Sequence, residues 1–193
     1  MKLFSPAKRP SPSSHVTVYS CFYDLASAFD TVVYPVLLEH LKTSGICGKT
    51  WRLIKQWYTN TNSRVRICGH YSAPFTLHRG VRQGSLLSPF LFLLIMDPIL
   101  LQLRSKSCGL SITGLYLGAF SHADDVRTLS TSIADARDQI NQVQNFASSR
   151  GLVLNANKCE AIVSPSTPAS LTSIDVDGLS IPINNSAICL GSW

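Results

Sequence analysis

The stretch VTVYSCFYD, residues Val16–Asp24, decides how the rest of the chain is interpreted. Up to Tyr23 it is mostly β-branched and aromatic, and a continuous run of this kind predicts a strand that is buried on both faces. The run stops at an aspartate. The prediction therefore places the Asp24 carboxylate at the end of a buried strand.

Helical and strand patterns alternate after this strand. Helices are predicted around Tyr34–Thr43 and Lys49–Asn60, with glycines between them. The segments Ser63–Ile67 and Tyr71–Leu77 are typical of paired strands that turn around Gly69. The first half of the chain thus predicts a strand, two helices and a hairpin.

The second half repeats this alternation. Ser88-Pro89 is typical of an N-cap followed by proline at the first helical position, and it opens an apolar helix towards Arg104. Strands are predicted at Ile112–Phe120 and Val126–Ser130, with a tight turn at residues 123–125 between them. An amphipathic helix, Ile133–Arg150, is closed by Gly151 and followed by short strands near Leu152–Leu154 and Glu160–Val163. Two more short strands follow a Ser/Thr/Pro-rich stretch, Ser164–Ser173, so the order predicts an α+β fold with a largely antiparallel sheet packed on helices.

The composition excludes several classes of protein. Of the 193 residues, 45% are hydrophobic and 15% are charged, which is typical of a globular chain. The longest apolar run, Phe90–Met96, is far shorter than the roughly 20 residues of a membrane span. The N-terminus carries charge and proline where a signal peptide needs an apolar core. We therefore expect a protein that is neither secreted nor in a membrane.

Charge and cysteine usage point to an intracellular protein with an anionic partner. The formal net charge is +6, and nucleic acid is the commonest partner of such an excess. The 6 cysteines contain no CxxC pair and stand mostly beside apolar residues. We interpret them as reduced core residues and expect a nuclear or cytoplasmic location.

Three aspartates suggest chemistry. Asp24 ends the first strand, and Asp124 and Asp125 lie together at a predicted hairpin tip. Carboxylates that face each other at strand ends can hold two Mg²⁺ ions about 3.5–4 Å apart for phosphoryl transfer. The alternative is structural, with Asp24 and Asp30 as helix caps and the Asp124-Asp125 pair as a polar turn.

The order of several segments favours the chemical interpretation. Residues 22–30 (FYDLASAFD), 80–89 (GVRQGSLLSP), 122–125 (HADD) and 151–160 (GLVLNANKCE) follow one another, and Cys189-Leu190-Gly191 comes after them. Together they resemble motifs A, B, C and D and the start of the primer grip in the reverse transcriptase palm of LINE-like non-LTR retrotransposons. His122 departs from the pattern, since the family has an aromatic residue there; the alternative is a turn histidine.

The resemblance implies a metal site. Asp24 and Asp124 would be ligands of two Mg²⁺ ions, for which Mn²⁺ is a possible substitute, and the Leu25 carbonyl would add an oxygen. Asp125 would be a third carboxylate, one that contributes less directly because successive strand residues point to opposite faces. Lys158 matches the lysine that protonates the departing pyrophosphate. Its alternative role is an ordinary surface lysine.

The resemblance also implies a site for the incoming nucleotide. Phe29 would be a steric gate that rejects a 2′-hydroxyl, or else a core phenylalanine. Gln83 and Gly84 would lie in a loop close to the nucleotide and template, or else form a turn before the helix. Arg82, like Arg79 and Arg127, would place positive charge near nucleic acid, although arginine is also common on any surface.

These inferences give a domain plan. Residues 1–14 are expected to be a flexible leader, 15–163 a polymerase palm, and 164–193 a Ser/Thr/Pro linker with the start of the thumb connection. Most of the fingers before motif A and the thumb after Trp193 are expected to be missing, as are endonuclease and RNase H segments.

The predicted function is that of an RNA-directed DNA polymerase palm, with RNA template, DNA primer and deoxynucleoside triphosphates as partners. We expect weak or no activity from the isolated chain. The alternatives are a non-catalytic nucleic-acid-binding remnant of a retrotransposon, and an inert, poorly folding product of a decayed element.

Overall fold

A computed structural model describes residues 16–59, 61–106, 109–165 and 171–186. The predicted leader, the Cys189-Leu190-Gly191 motif and residues 166–170 of the Ser/Thr/Pro-rich stretch lie outside the described residues. In chain order the elements are β1 (Val18–Tyr23), α1 (Ala28–Thr31), α2 (Tyr34–Thr43), α3 (Gly48–Thr59), β2 (Asn62–Ser63), β3 (Arg66–Ile67), β4 (His70–Tyr71), β5 (Phe75–Thr76), α4 (Ser88–Ser105), β6 (Ser111–Ile112), β7 (Leu115–Tyr116), β8 (Ala119–His122), β9 (Asp125–Ser130), α5 (Ile133–Ser149), β10 (Glu160–Ser164), β11 (Ser173–Val176) and β12 (Leu179–Pro182).

A four-stranded antiparallel sheet in the order β10-β1-β9-β8 forms the centre of the fold. Strand β1 lies between two neighbours, with Phe22 opposite Glu160 of β10 and Tyr23 opposite Val126 of β9. The predicted α+β fold with a largely antiparallel sheet is therefore confirmed. Because β1 is held on both sides, the position of its C-terminal end is tightly determined.

One face of this sheet is buried and the other is partly open. Cys21, Tyr23, Val126 and Thr128 are buried, and helices α4 and α5 pack against the sheet. Phe22, on the opposite face, is only half-buried. The prediction that β1 is buried on both faces is thus wrong, because only Cys21 and Tyr23 of this strand are fully buried and its other residues are half-buried.

Helix α5 shows how local sequence sets an element's limits. Its N-cap Ser132 accepts a hydrogen bond from the Asp135 amide at 3.0 Å, which satisfies one of the free N–H groups of the first turn. After the last turn, Gly151 has a φ of +71°, a conformation that favours glycine. Both ends agree with the predicted boundaries.

Helix α4 is the apolar centre of the helical layer. Leu91, Phe92 and Ile95 are buried in the core. By length and composition alone the 18-residue helix, with a mean hydropathy of 1.3, would also suit a membrane span, and 39% of it is buried in the protein. It continues past the apolar run Phe90–Met96 through Asp97 and Pro98 to Ser105, in agreement with the helix predicted towards Arg104. Its place against the sheet accounts for its composition.

Several local predictions need correction. Ser88 is the first helical residue rather than the N-cap, which is Leu87. The Ser88 hydroxyl donates to the Arg82 carbonyl at 2.6 Å and so joins the start of α4 to the motif B loop. The strand predicted at Ile112–Phe120 is divided, since Thr113 (φ +51°) and Gly114 (φ +84°) form a turn. Around Leu154 there is a single bridge, to Leu25, rather than a strand.

The cysteine prediction holds for part of the set. Cys21 and Cys159 are free and buried, whereas Cys47 and Cys68 are free and exposed. Cys68 has a φ of +48° at the turn between β3 and β4, so its apolar neighbour Ile67 did not indicate a core position. The remaining cysteines, Cys108 and Cys189, lie outside the described residues.

Candidate active site

Asp24 lies between two other predicted site residues at the end of β1. The pairing of β1 with β9 ends at Tyr23 opposite Val126, so the next position of this register sets Asp24 beside Asp125. The pairing of β1 with β10 ends at Phe22 opposite Glu160, and two positions further the same register sets Asp24 beside Lys158. Three motifs that are far apart in sequence therefore meet at one end of the sheet.

The second strand pair presents the other carboxylates. His122 is opposite Asp125 at the end of the β8–β9 hairpin, and Ala123 and Asp124 form the turn, with Ala123 at a φ of +55°. Asp124 and Asp125 are each half-buried. Within the described part of the chain, neither carboxylate has a hydrogen-bond or ion-pair partner.

The loop of motif D is attached to the backbone of Asp24. The Asn155 amide donates to the Asp24 carbonyl at 2.8 Å, and the Cys159 thiol lies 4.0 Å from the same oxygen. The Lys158 amide in turn donates to the Asn155 carbonyl at 2.9 Å. This places Lys158 Nζ 3.9 Å from Asp24 Oδ2, with the lysine side chain 68% exposed and the aspartate side chain 30% exposed.

The Leu25 carbonyl is not used by the neighbouring bridge. Leu25 is buried, and its bridge to Leu154 is made by the Ala26 amide donating to Val153 and the Asn155 amide donating to the carbonyl of Asp24. The bridge therefore holds the backbone around Leu25 without taking the oxygen that the resemblance assigns to a metal.

A buried hydrogen bond joins the two strands next to the aspartates. The hydroxyls of Tyr23 and Thr128 are 2.9 Å apart, so they join β1 to β9 next to the strand end that Asp24 follows. Burial raises the pKa of the Cys21 thiol to about 12 and also raises the pKa of Tyr23 well above its usual value. Both side chains thus stay protonated and neutral at physiological pH.

The carboxylates fit magnesium in chemistry but do not form a complete protein cage. Among the described residues, no three His, Cys, Asp or Glu side chains come together as a group that could hold a metal ion. Magnesium is usually held by one or two carboxylates, with water and substrate phosphates as the other ligands. Asp24 beside Asp125, with Asp124 at the adjoining turn, agrees with such a sparse donor set.

Phe29 is fixed by the core rather than free to move. Its ring stacks on Phe92 of α4, with ring centroids 4.8 Å apart and planes at 21°, and it remains half-buried. Its carbonyl accepts a hydrogen bond from the Val81 amide at 2.8 Å. One side of the Phe29 ring is therefore part of the core, which agrees with the alternative prediction of a core phenylalanine. The hydrogen bond from Val81 also joins motif A to motif B at this point.

The loop of motif B is attached to the end of motif A. Gln83 Nε2 donates to Asp30 Oδ1 at 3.0 Å, and both side chains are exposed. Gly80 has a φ of +93°, and a Cβ there would lie 3.0 Å from the Asp30 carbonyl oxygen, so this close approach requires glycine. Gly84 has a φ of +79° with open space around it.

The arginines flanking the motifs have different environments. Arg82 donates to the hydroxyl of Thr61 at 3.2 Å and is exposed, as is Arg79. Arg127 lies on the open face of the sheet, where its guanidinium is 4.4 Å from the Phe22 ring centroid. All of these cations lie in or next to the predicted motifs, but within the described ranges no ion pair joins them to the aspartates.

Sequence reasoning missed two contacts that position the site. The alternative role of Asp30 as a helix cap is wrong, because the N-cap of α1 is Ser27, whose side chain makes no capping hydrogen bond. The Asp30 carboxylate instead accepts a hydrogen bond from the Gln83 side-chain amide. The attachment of Asn155 to the Asp24 carbonyl was also unforeseen. The only available signal was that all these residues lie within the quoted motifs.

Comparison with protein families gives a match over most of the chain. A family model described as reverse transcriptase (RNA-dependent DNA polymerase) matches residues 8–180. The chain is 28% identical over 161 residues to the Retrovirus-related Pol polyprotein from type-1 retrotransposable element R2 of Popillia japonica, covering 80% of this chain and 27% of that protein. It is 29% identical over 168 residues to the RNA-directed DNA polymerase from mobile element jockey of Drosophila funebris, covering 82% of this chain and 18% of that protein.

Solved structures with a similar fold are much larger proteins. Apo telomerase from Candida tropicalis superposes with a TM-score of 0.60 at 13% identity, over 88% of this chain and 32% of that one. Telomerase from Candida albicans, solved with a fragment of telomeric RNA, gives a TM-score of 0.59 at 16% identity, over 90% of this chain and 32% of that one. At these identities the likeness concerns the polymerase palm-type fold alone.

Proposed function

Because residues 8–180 match its family model, this chain belongs to the reverse transcriptase (RNA-dependent DNA polymerase) family, and we propose that it acts as the palm of an RNA-directed DNA polymerase. The observation that supports the proposal is the pairing of β1 with β9 as far as Tyr23 opposite Val126, since Asp24 and Asp125 are the next residues of these two neighbouring strands and Asp124 is in the adjoining turn. The chain spans 27% of one R2 relative and 18% of the jockey polymerase. Because the chain covers so little of these relatives, the activity of the whole proteins comes to this chain only as a proposal.

The proposed reaction is nucleotidyl transfer with two metal ions. Asp24, Asp124, Asp125 and the Leu25 carbonyl would hold two Mg²⁺ ions, which when bound would lower the pKa of an attacking hydroxyl and would stabilise the leaving phosphate oxygens. Mn²⁺ is a possible substitute with the same oxygen ligands. The protein's own contribution to phosphoryl transfer is mainly positioning and electrostatics.

Lys158 is proposed to protonate the departing pyrophosphate. Its ammonium is 3.9 Å from Asp24 and 68% exposed, so it is next to the proposed metal site and still free to turn towards a substrate. The ion pair itself has little strength, since exposed pairs of this kind contribute about 0–1 kcal/mol. Moving away from Asp24 therefore costs the lysine little.

The nucleotide is proposed to lie against motifs A and B. Phe29 would face the sugar with the side of its ring that Phe92 does not cover, and its stacking at 4.8 Å keeps it from giving way to a 2′-hydroxyl. Gln83, fixed by Asp30, would hydrogen-bond the nucleotide, and Gly84 would let the backbone approach it. Exposed Arg82 would add positive charge for the RNA template or the triphosphate.

Primer extension tests the proposal. Full-length chain would be incubated with an RNA template, an annealed DNA primer, deoxynucleoside triphosphates and Mg²⁺ or Mn²⁺. Replacement of Asp124 by Asn should lower the rate by about a thousandfold, as expected for the loss of several kcal/mol of transition-state stabilisation by a metal ligand. The matched control is Asp177→Asn, an equal change at an exposed aspartate of the β11–β12 turn, which should extend at the wild-type rate.

A second candidate is a non-catalytic nucleic-acid-binding protein, located like the first in the nucleus or cytoplasm. It is favoured by the chain's net charge of +6, which acts without metal or catalysis. The same variant separates the two. Extension by the wild type that is lost in Asp124→Asn supports the polymerase. RNA binding without extension, unchanged or strengthened in Asp124→Asn, supports the binding protein.

A further inference from the structure

The positive charge of the chain is concentrated in one part of the sequence. Residues 40–96, here called the basic segment, contain no Asp or Glu. Residues 15–39 and 97–193 hold all 11 Asp and Glu of the chain but only six Lys and Arg. The modest net charge therefore conceals a strongly positive segment within an acidic remainder. The Lys and Arg of the basic segment are Lys42, Lys49, Arg52, Lys55, Arg64, Arg66, Arg79 and Arg82.

All of these cations are exposed in the folded protein. In helix α3 three of them are spaced three residues apart, at Lys49, Arg52 and Lys55, and residues at this spacing are neighbours on a helix surface. The buried residues of the helix are Ile54 and Tyr58. Helix α3 thus packs on the protein through one side and presents a row of cations on another.

The hairpin after α3, residues 62–76, is here called the ribbon. Strand β2 pairs with β5 at its base and β3 with β4 at its tip, and every residue from 64 to 76 is exposed. Tyr71 is 61% exposed and Phe75 46%. A two-stranded ribbon whose faces are both exposed is only marginally stable in water, so this one is suited to gain order from a partner.

The ribbon carries cations and aromatic rings close together. The guanidinium of Arg66 lies 5.6 Å from the ring centroid of Tyr71, its partner across the ribbon. At the base, the Leu77 amide donates to the Thr61 carbonyl at 2.9 Å, and Arg82 donates to the Thr61 hydroxyl. The base is thus held to the motif B loop, while the exposed tip lies beyond it.

We propose that helix α3 and the ribbon form a binding surface for single-stranded nucleic acid, and that this surface includes none of the three site aspartates. Lys and Arg bind the phosphates of any nucleic acid, but exposed rings such as Tyr71 and Phe75 offer stacking faces to unpaired bases, which a duplex cannot use. This inference goes beyond the proposed polymerase function and does not depend on it, because binding here needs neither metal nor nucleotide.

The test is the binding of a fluorescently labelled oligouridylate to the full chain, followed by anisotropy over a series of KCl concentrations in EDTA. EDTA removes divalent metal from the aspartates, so the result is independent of polymerase activity. The ribbon variant R64S/R66S should bind about tenfold more weakly at low salt. The slope of log K against log[salt] should become shallower by about 1.4, or about 0.7 for each phosphate that the variant no longer neutralises.

Two further variants test each part of the surface. K49S/K55S in α3 should change the salt slope by the same amount as the ribbon variant. Tyr71→Ala should weaken binding about tenfold without changing the slope, because stacking releases no counterions. Far-ultraviolet circular dichroism of each variant checks that it is folded, which the exposure of these side chains leads us to expect.

The control is R104S/R137S, an equal loss of charge at exposed residues of α4 and α5, with an expected loss of less than about twofold. An equal effect of the control and the ribbon variant would overturn the proposal, since only net charge would then matter. So would competition by duplex DNA as effective as that by the unlabelled oligouridylate. Absence of RNA binding by the wild type would also overturn it and would assign the exposed apolar residues of the ribbon to a protein partner.

Discussion

The central sheet and the ribbon are both antiparallel, yet they use their side chains in opposite ways. In the sheet, Cys21 and Tyr23 of β1 are buried under helices, and the other face carries the aspartate site. In the ribbon, residues 64–76 are exposed on both faces. Strand pairing alone therefore does not decide what a strand does; the presence of a helical layer behind it does.

This difference matches what each region is proposed to do. Phosphoryl transfer requires reacting groups held to within about 1 Å, and the register of β1 between β9 and β10 supplies such a fixed frame. Binding of a flexible, charged strand requires cations and rings but no fixed frame. A rigid site and a pliable binding surface can thus be neighbours in one chain.

The largest expected effect is on stability in the core. Phe92→Ala removes a fully buried ring that also supports Phe29, and we expect it to lower the free energy of unfolding by about 3–5 kcal/mol. Phe75→Ala, the same change on the ribbon where the ring is 46% exposed, should cost less than about 1 kcal/mol. Urea unfolding followed by circular dichroism measures both. Equal losses would show that the ribbon is part of the core and would remove the contrast between the two regions.

The next effect concerns alkaline pH and compares two cysteines. Burial raises the pKa of Cys21 from 9.0 to about 12, so the unfolded thiol loses its proton at lower pH than the folded one. The stabilisation is complete below pH 9.0 and is lost as pH rises towards 12, by at most about 1.4 kcal/mol per pH unit. Tyr23, whose pKa burial also raises, adds a loss of the same sign.

Unfolding by urea at several values between about pH 8 and pH 10.5, a range that spans the ordinary thiol pKa, checks this. Cys21→Ala should flatten the decline in the free energy of unfolding, whereas Cys68→Ala in the exposed turn of the ribbon should leave the decline as in the wild type. If both variants follow the wild-type curve, the Cys21 thiol does not contribute, and the alkaline loss belongs to other groups such as Tyr23.

Much of the core could be predicted from the sequence. Helix α2 has the predicted bounds, Tyr34–Thr43, because proline at its start and apolar spacing along it are local signals. The order of motifs A, C and D predicted that Asp24, Asp124 and Lys158 belong together. The register that sets Asp24 next to Asp125 and Lys158 was not predictable, since strand pairing depends on packing between distant segments.

Exposure was harder to predict than secondary structure. Paired strands around Gly69 were expected and are present, but nothing in Ile67-Cys68 indicates that this hairpin leaves the core. Conversely, β1 has an apolar pattern on both faces, although only one is covered. Local sequence reports which residues suit a strand, whereas the number of layers around it is a property of the whole fold.

The hydrogen bond between Asp30 and Gln83 joins helix α1, which follows β1 of the central sheet, to the motif B loop, to which the base of the ribbon is also held. Gln83 Nε2 donates to Asp30 Oδ1 at 3.0 Å across 53 residues of sequence, and the Val81 amide and the Phe29 carbonyl join the same two segments through the backbone. The backbone bonds hold the loop whether or not the side chains interact. The side-chain bond therefore serves to orient the Gln83 amide, and Asp30 is a positioning residue.

The smallest expected effect follows from this arrangement. Asp30→Ala should raise the KM for the deoxynucleoside triphosphate about fivefold, the value of one exposed hydrogen bond, with kcat changed by less than about twofold. Asp30→Asn keeps an acceptor oxygen and should restore the wild-type KM. The side-chain amide resonances of Gln83 in a ¹⁵N–¹H spectrum give a readout that needs no turnover: they should shift in Asp30→Ala and keep their wild-type positions in Asp30→Asn. If the resonances do not move in Asp30→Ala, the bond is absent in solution, and the motif B loop is held by its backbone alone.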